Sequence, residues 1–239
     1  MALLEGRGIS KRFGGVQALT QVDFEVEAGT IVGLIGPNGA GKTTLFNIVA
    51  GAMAPSAGEV LFDGDRITGL SAFRICRRGI ARTFQVTRPF AEMTCLENVA
   101  VGIVNRHPGT GRADWQVLAR EYLEAVGLAG QTETPARQLN VIQKKRLEIA
   151  RALATEPQLL MLDEVLGGLN TYEVQEAVAF IRDLRDRRGL TVFWIEHVMG
   201  AIMQAAERVI VLDQGQVLMV GAPGEVVSDA RVISAYLGN

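Results

Sequence analysis

The sequence predicts an α/β fold: a mainly parallel sheet flanked by helices, with a β region at its start and a helical region in its middle. Three observations predict it. Short, uniformly apolar runs (IVGLI at 31–35, LLML at 159–162, TVFWI at 191–195) have the length and character of strands buried on both faces. Residues 4–12 and 17–28 instead alternate, as in Val22-Asp23-Phe24-Glu25-Val26, which marks half-buried strands ending at Ala28-Gly29. From about 94 to 154 the pattern is helical, interrupted by a polar Gly/Pro stretch at 107–112. Strands that alternate with helices imply a parallel core, and the other two regions read as attachments to it.

The remaining elements follow in order. TTLFNIVAG after the first buried strand reads as a helix stopped by Gly51. GEVLFD at 58–63 reads as a strand with Gly64 in the turn after it. A helix is expected over about 172–187, two strands around a turn at Gln214-Gly215 within 208–220, and a helical tail over 224–237.

Composition narrows the function. The chain has 239 residues and 48% hydrophobic content, enough for a substantial core. A net charge of −2 gives no reason to expect nucleic acid as partner. Two cysteines, Cys76 and Cys95, suggest no disulfide framework, so a reducing compartment is expected. No window approaches the ~20 apolar residues of a membrane span, and the N-terminal stretch lacks a signal-peptide core. Any membrane role therefore implies docking onto another protein.

One motif carries explicit chemistry. Gly36-Pro37-Asn38-Gly39-Ala40-Gly41-Lys42-Thr43 fits G-x-x-x-x-G-K-[ST], with an apolar strand before it and a helical run, starting with Thr44, after it. Glycines let backbone N–H groups turn toward phosphates, and the helix N-terminus adds partial positive charge. Lys42 is expected on the β- and γ-phosphates and Thr43 on Mg²⁺. Asp163-Glu164 ends the apolar strand at 159–162, a strand expected to lie next to that of the P-loop. Asp163 is then a Mg²⁺ ligand and Glu164 the general base that polarises water. Of the two histidines, His107 falls in the polar stretch. His197 follows a core strand at its carboxyl end, where phosphate contacts occur.

Together these residues resemble the nucleotide-binding domain of ABC transporters, over the whole chain. The resemblance implies a P-loop NTPase (RecA-like) core with an antiparallel β subdomain and a helical subdomain, all in one domain over 1–239. Residues of about 1–85 and 155–239 would form the core and β subdomain, and about 86–154 the helical subdomain. It implies that Phe13 stacks on adenine and that Gln85, in Arg82-Thr83-Phe84-Gln85, touches Mg²⁺ and water. His197 is the implied switch histidine, and Gly168, Leu169 and Asn170 lie in the implied D-loop. Leu139-Asn140-Val141-Ile142-Gln143 occupies the place of the LSGGQ signature, which faces ATP held by a second subunit. The cofactors implied are ATP and Mg²⁺.

KRFGGVQAL at 11–19, RRGIARTFQ at 77–85, MTCLENVAVG at 93–102 and VISAYLG at 232–238 resemble the LivG-type subunits of branched-chain amino acid importers. That lineage implies a second ABC ATPase subunit (the same or different), integral membrane permease subunits and a separate solute-binding protein. It implies a peripheral place on the cytoplasmic face of the inner membrane. Urea, amides or aromatic acids are alternative solutes. A lipid or lipopolysaccharide exporter motor, a non-transport ABC ATPase and a regulatory subunit that binds ATP without hydrolysing it are the competing readings.

The signature departs from LSGGQ. Asn140 can still cap a helix, with Gln143 completing a capping box. Ile142 replaces a glycine and is expected to hinder the approach of backbone to phosphate. Asn170 and Val198 stand where relatives often carry aspartate. Pro89, Phe90 and Met93 are candidates to line a groove for a membrane subunit.

Overall fold

The computed structural model describes residues 2–109 and 111–237. Met1, Thr110, Gly238 and Asn239 lie outside them, and with them parts of the 107–112 and 232–238 stretches. Two sheets form. The N-terminal sheet is antiparallel, with β1 (Ala2–Phe13), β2 (Val16–Glu27), β4 (Ala57–Phe62) and β5 (Asp65–Arg66) in the order β2-β1-β4-β5. The second sheet contains β3 (Ile31–Ile35), β6 (Ile80–Arg82), β7 (Leu159–Asp163), β8 (Thr191–Ile195), β9 (Arg208–Asp213) and β10 (Gln216–Gly221). Its order is β10-β9-β3-β8-β7-β6, parallel except for the β9–β10 hairpin.

The expected neighbour relation of two strands is corrected here. β7, which ends in Asp163, does not pair with the P-loop strand β3. β8 lies between them and pairs with both. The three strands are equally apolar, so nothing in their side chains encodes their order. That order is set by the crossover helix α6 (Thr171–Arg188), which returns the chain to β8 in the gap between β3 and β7.

Alternation explains why the central strands are apolar on both faces. Val32, Leu34, Met161, Phe193, Ile195 and Ile210 point to one core, Ile31, Ile35, Leu160, Leu162, Trp194 and Val211 to the other. The first core holds α1 (Lys42–Val49) between the two sheets. The second lies against α6 and the helices of the middle region: α3 (Cys95–Arg106), α4 (Arg112–Ala125) and α5 (Val141–Leu153). Phe46 of α1 is fully buried and its ring centroid lies 4.9 Å from that of Phe193, which stacks on Phe24 at 5.7 Å. This aromatic group fixes the helix that follows the P-loop. Phe46→Ala should therefore cost about 3–5 kcal/mol, by lost transfer energy and the cavity left behind. Urea denaturation followed by circular dichroism checks this.

The smaller elements have local causes. Thr94 and Glu97 form a capping box that starts α3. Gly51 turns the chain after α1 at φ 69°. α2 (Ala72–Arg77) and α7 (Met199–Ala205) were not anticipated, and neither was β6; all three are short. The tail divides into α8 (Pro223–Ser228) and α9 (Ala230–Leu237). Cys95 is buried and its thiol is pushed up to about 11 by burial. Among the described residues no helix is long and apolar enough to cross a membrane.

Candidate active site

The P-loop joins β3 to α1, and its path excludes side chains at two points. Gly36 has φ 150°, and a Cβ there would stand 2.0 Å from the Leu212 carbonyl oxygen. Gly41 has φ 103°, and its Cβ would stand 2.8 Å from the Ala18 carbonyl oxygen. These requirements produce the glycines of the motif. No side chain caps α1, which leaves its N-terminus suited to an anion. Lys42 is buried, and its Nζ donates to the carbonyl oxygens of Gly36 at 2.6 Å and Pro37 at 3.0 Å. Burial lowers its pKa, while Glu164 and Asp163 oppose that shift.

Facing the loop are the carboxyl ends of β7 and β8. A cleft of about 300 Å³ is lined by the P-loop from Asn38 to Thr44 and by Gln85, Glu164 and His197. Gln85 Nε2 donates to Glu164 Oε2 at 2.6 Å, and His197 Nε2 lies 2.5 Å from Glu164 Oε1. Two side chains from separate parts of the chain therefore converge on one carboxylate. Glu164 itself has φ 50°, a left-handed conformation that costs a non-glycine residue on the order of 1–3 kcal/mol. Phe13 stands at the end of β1, 47% exposed, outside the lining of this cleft.

Asp163 is 1% exposed. Arg82 Nη2 donates to its Oδ2 at 2.7 Å, while Oδ1 has no hydrogen-bond partner. A buried, unpartnered carboxylate oxygen at the end of β7 has the donor chemistry of a Mg²⁺ ligand, an ion that takes one or two protein oxygens and completes its shell with phosphate and water.

A sequence model described as "ABC transporter" matches residues 19–167. The chain belongs to the ABC transporter family. BraF of Pseudomonas aeruginosa, a high-affinity branched-chain amino acid transport ATP-binding protein, is 40% identical over 250 residues, covering 99% of this chain and 98% of BraF. LivG of Escherichia coli, named for the same activity, is 39% identical over 249 residues with the same coverage. A nucleotide-free ATP-binding cassette from an ABC transporter superposes with a TM-score of 0.90 at 30% identity, covering all of both chains. A dimeric cassette bound to ADP and Pi in a post-hydrolysis state reaches 0.83 at 25% identity, covering 92% of this chain and 98% of that one. The chain is thus the ATP-binding subunit of an ABC transporter, an ATPase whose hydrolysis is coupled to transport.

The segment expected to be the signature is arranged in a way the sequence did not anticipate. Asn140 and Gln143 do form the capping box: Gln143 N–H donates to Asn140 Oδ1 at 2.8 Å and Asn140 N–H to Gln143 Oε1 at 3.0 Å. The Leu139 side chain, however, is 4% exposed and belongs to the core. Ile142 is also not the exposed residue. It turns into a groove between α5 and α6 that Leu169 and Phe180 also line. Val141 is 62% exposed and is the branched side chain presented outward. The helical periodicity decides this: neighbouring positions point about 100° apart.

In the segment expected to be the D-loop, Gly168 has φ 83°, Leu169 packs on the core and Asn170 caps α6 with Glu173 as box partner. Asn170 therefore has a structural task of its own.

Four charged residues of the cassette escaped the sequence reading. Arg82 bonds Asp163 and also donates to Asn47 Oδ1. Buried Glu148 of α5 accepts from the N–H groups of Phe84 at 3.1 Å and Arg88 at 3.2 Å, tying the Gln85 segment to the signature helix. Burial pushes its carboxyl up, against those bonds and Arg151. Lys145 and Glu196 bind the backbone after Glu164. Only Glu148 carried a local signal, a charge flanked by apolar residues in Leu147-Glu148-Ile149.

Proposed function

We propose that this subunit hydrolyses Mg-ATP to drive import of branched-chain amino acids or related small solutes such as amides, urea or aromatic acids. It would work as a peripheral subunit on the cytoplasmic face of the inner membrane. Its partners would be integral permease subunits, a separate solute-binding protein and a second ATPase subunit. Full-length identity of about 40% to BraF and LivG supports the importer reading. The observation that carries the chemistry is the Glu164 carboxylate held between His197 and Gln85 across the cleft from Lys42.

The residues act in sequence. Phe13 offers an exposed ring for adenine to stack on. The P-loop amides and Lys42 take the phosphates, Lys42 exchanging its two carbonyl partners for phosphate oxygens. Mg²⁺, held by Thr43 and Asp163 with Gln85 nearby, would neutralise charge on the β- and γ-phosphate oxygens. Glu164 orients a water for in-line attack and accepts its proton as the new P–O bond forms. ADP departs with the electron pair of the bond that breaks. His197 holds the carboxylate and contributes to the γ-phosphate environment.

The partner subunit's nucleotide would meet Asn140 and Val141 at the N-terminus of α5. A branched residue at the exposed position obstructs close backbone approach, which weakens the ATP site that this face completes. Val141→Gly should then raise steady-state ATPase about three- to tenfold, a gain of about 1 kcal/mol in transition-state contact. Ile142→Gly should give no such gain and should cost about 1–2 kcal/mol of stability in urea, from lost packing and helix propensity. Equal effects on rate would refute this division.

Transport is tested by uptake of radiolabelled leucine in cells that carry the permease subunits and depend on this ATPase. Uptake restored by the native chain and not by Glu164→Gln is expected. ATPase-dependent uptake of another solute class, with no leucine transport, would overturn the substrate reading.

A further inference from the structure

Glu164 occupies a backbone conformation that persists only where neighbouring groups impose it. Its own N–H donates to the Ile195 carbonyl at 2.9 Å. The chain beyond it is gripped by two charged side chains from other elements. Leu166 N–H donates to Glu196 Oε1 at 2.7 Å, and Lys145 Nζ donates to the Gly167 carbonyl at 2.5 Å. The second oxygen of Glu196 accepts from His197 N–H at 3.1 Å and lies 3.5 Å from Val198 N.

Glu196 is only 2% exposed, so it cannot reach nucleotide in the cleft. Burial pushes its carboxyl up, and its backbone donors act against that shift. Such a group is costly unless its hydrogen bonds are made. Here every bond goes to the backbone that carries either Glu164 or His197. β7 and β8 are neighbours, so their two carboxyl ends lie side by side, and one carboxylate spans them. An apolar residue of the same size would leave the buried Leu166 N–H unpaired.

We propose that Glu196 is a positioning residue for ATP hydrolysis. Its two oxygens lock the Glu164 loop to the His197 turn and thereby set the carboxylate–imidazole contact of 2.5 Å. Lys145 secures the same loop from the signature helix, so the loop after the base is held from both sides. This inference rests on Glu164 being the base.

The test uses Glu196→Gln in the full chain. Glutamine keeps the shape but has one acceptor oxygen, so it cannot serve Leu166 and His197 together. Two readouts are taken. Hydrogen–deuterium exchange over 164–169 and 196–198 should accelerate about tenfold or more while the rest of the chain is unchanged. Steady-state kcat should fall about tenfold to a hundredfold with KM within about twofold, because misplacement by an ångström costs this much. In a Glu164→Gln background, Glu196→Gln should change the residual rate by less than about twofold, since the residue acts through the base. Native exchange rates in Glu196→Gln would overturn the proposal, and so would equal rate losses in both backgrounds. If Glu164→Gln alone keeps the native rate, the assignment of the base fails. The exchange measurement then still decides whether Glu196 holds the loop.

Discussion

Glu164→Gln should lower kcat about 10²- to 10⁴-fold, the usual range for a positioned base, and leave ATP affinity within about twofold. The expectation follows from geometry. Glu164 lies in the cleft but is held by His197 and Gln85 instead of by the P-loop. Glutamine keeps its size and can still meet both neighbours, so the cleft retains its shape. What it loses is the capacity to accept a proton from water. Single-turnover hydrolysis of radiolabelled ATP, beside equilibrium binding by calorimetry, separates the two effects. A parallel loss of rate and affinity would assign Glu164 to binding instead.

Lys42→Ala should act at the earlier step and raise the Kd for ATP about 10²- to 10³-fold. Two charge-assisted bonds to phosphate oxygens, at about 1.5–3 kcal/mol each, account for that range at its lower bound. The lysine is prepaid in position: buried, with Nζ already bonded to the carbonyl oxygens of Gly36 and Pro37. Burial lowers its pKa, and the Glu164 and Asp163 carboxylates counter the change. Fluorescence titration with a labelled ATP analogue measures the loss. A thermal melt of the apo variant checks that the fold survives.

The local elements were legible because their signals are local. Apolar runs gave β3, β7 and β8; alternation gave β1 and β2; and Asn140 with Gln143 gave a capping box that the structure contains. The P-loop, Glu164, Gln85 and His197 line one cleft. Strand order was not legible, because β3, β7 and β8 carry interchangeable apolar side chains and differ only in what their connections pass over. The facing of the signature was also missed. Whether Val141 or Ile142 points outward depends on where α5 begins and how it rotates against α6, which the motif does not record. Arg82, Glu148 and Glu196 escaped for a related reason. Each makes its bonds to residues far away in sequence, so only the folded chain brings the partners together.

The central claim is that this cassette hydrolyses ATP in a dimer with Glu164 as the base. The most direct measurement is the steady-state ATPase rate of the purified chain as a function of its concentration, with Glu164→Gln in parallel. The account predicts total activity that rises with the square of concentration at low protein and falls about 10²- to 10⁴-fold with the substitution. Activity strictly proportional to concentration, or undiminished in Glu164→Gln, would contradict it.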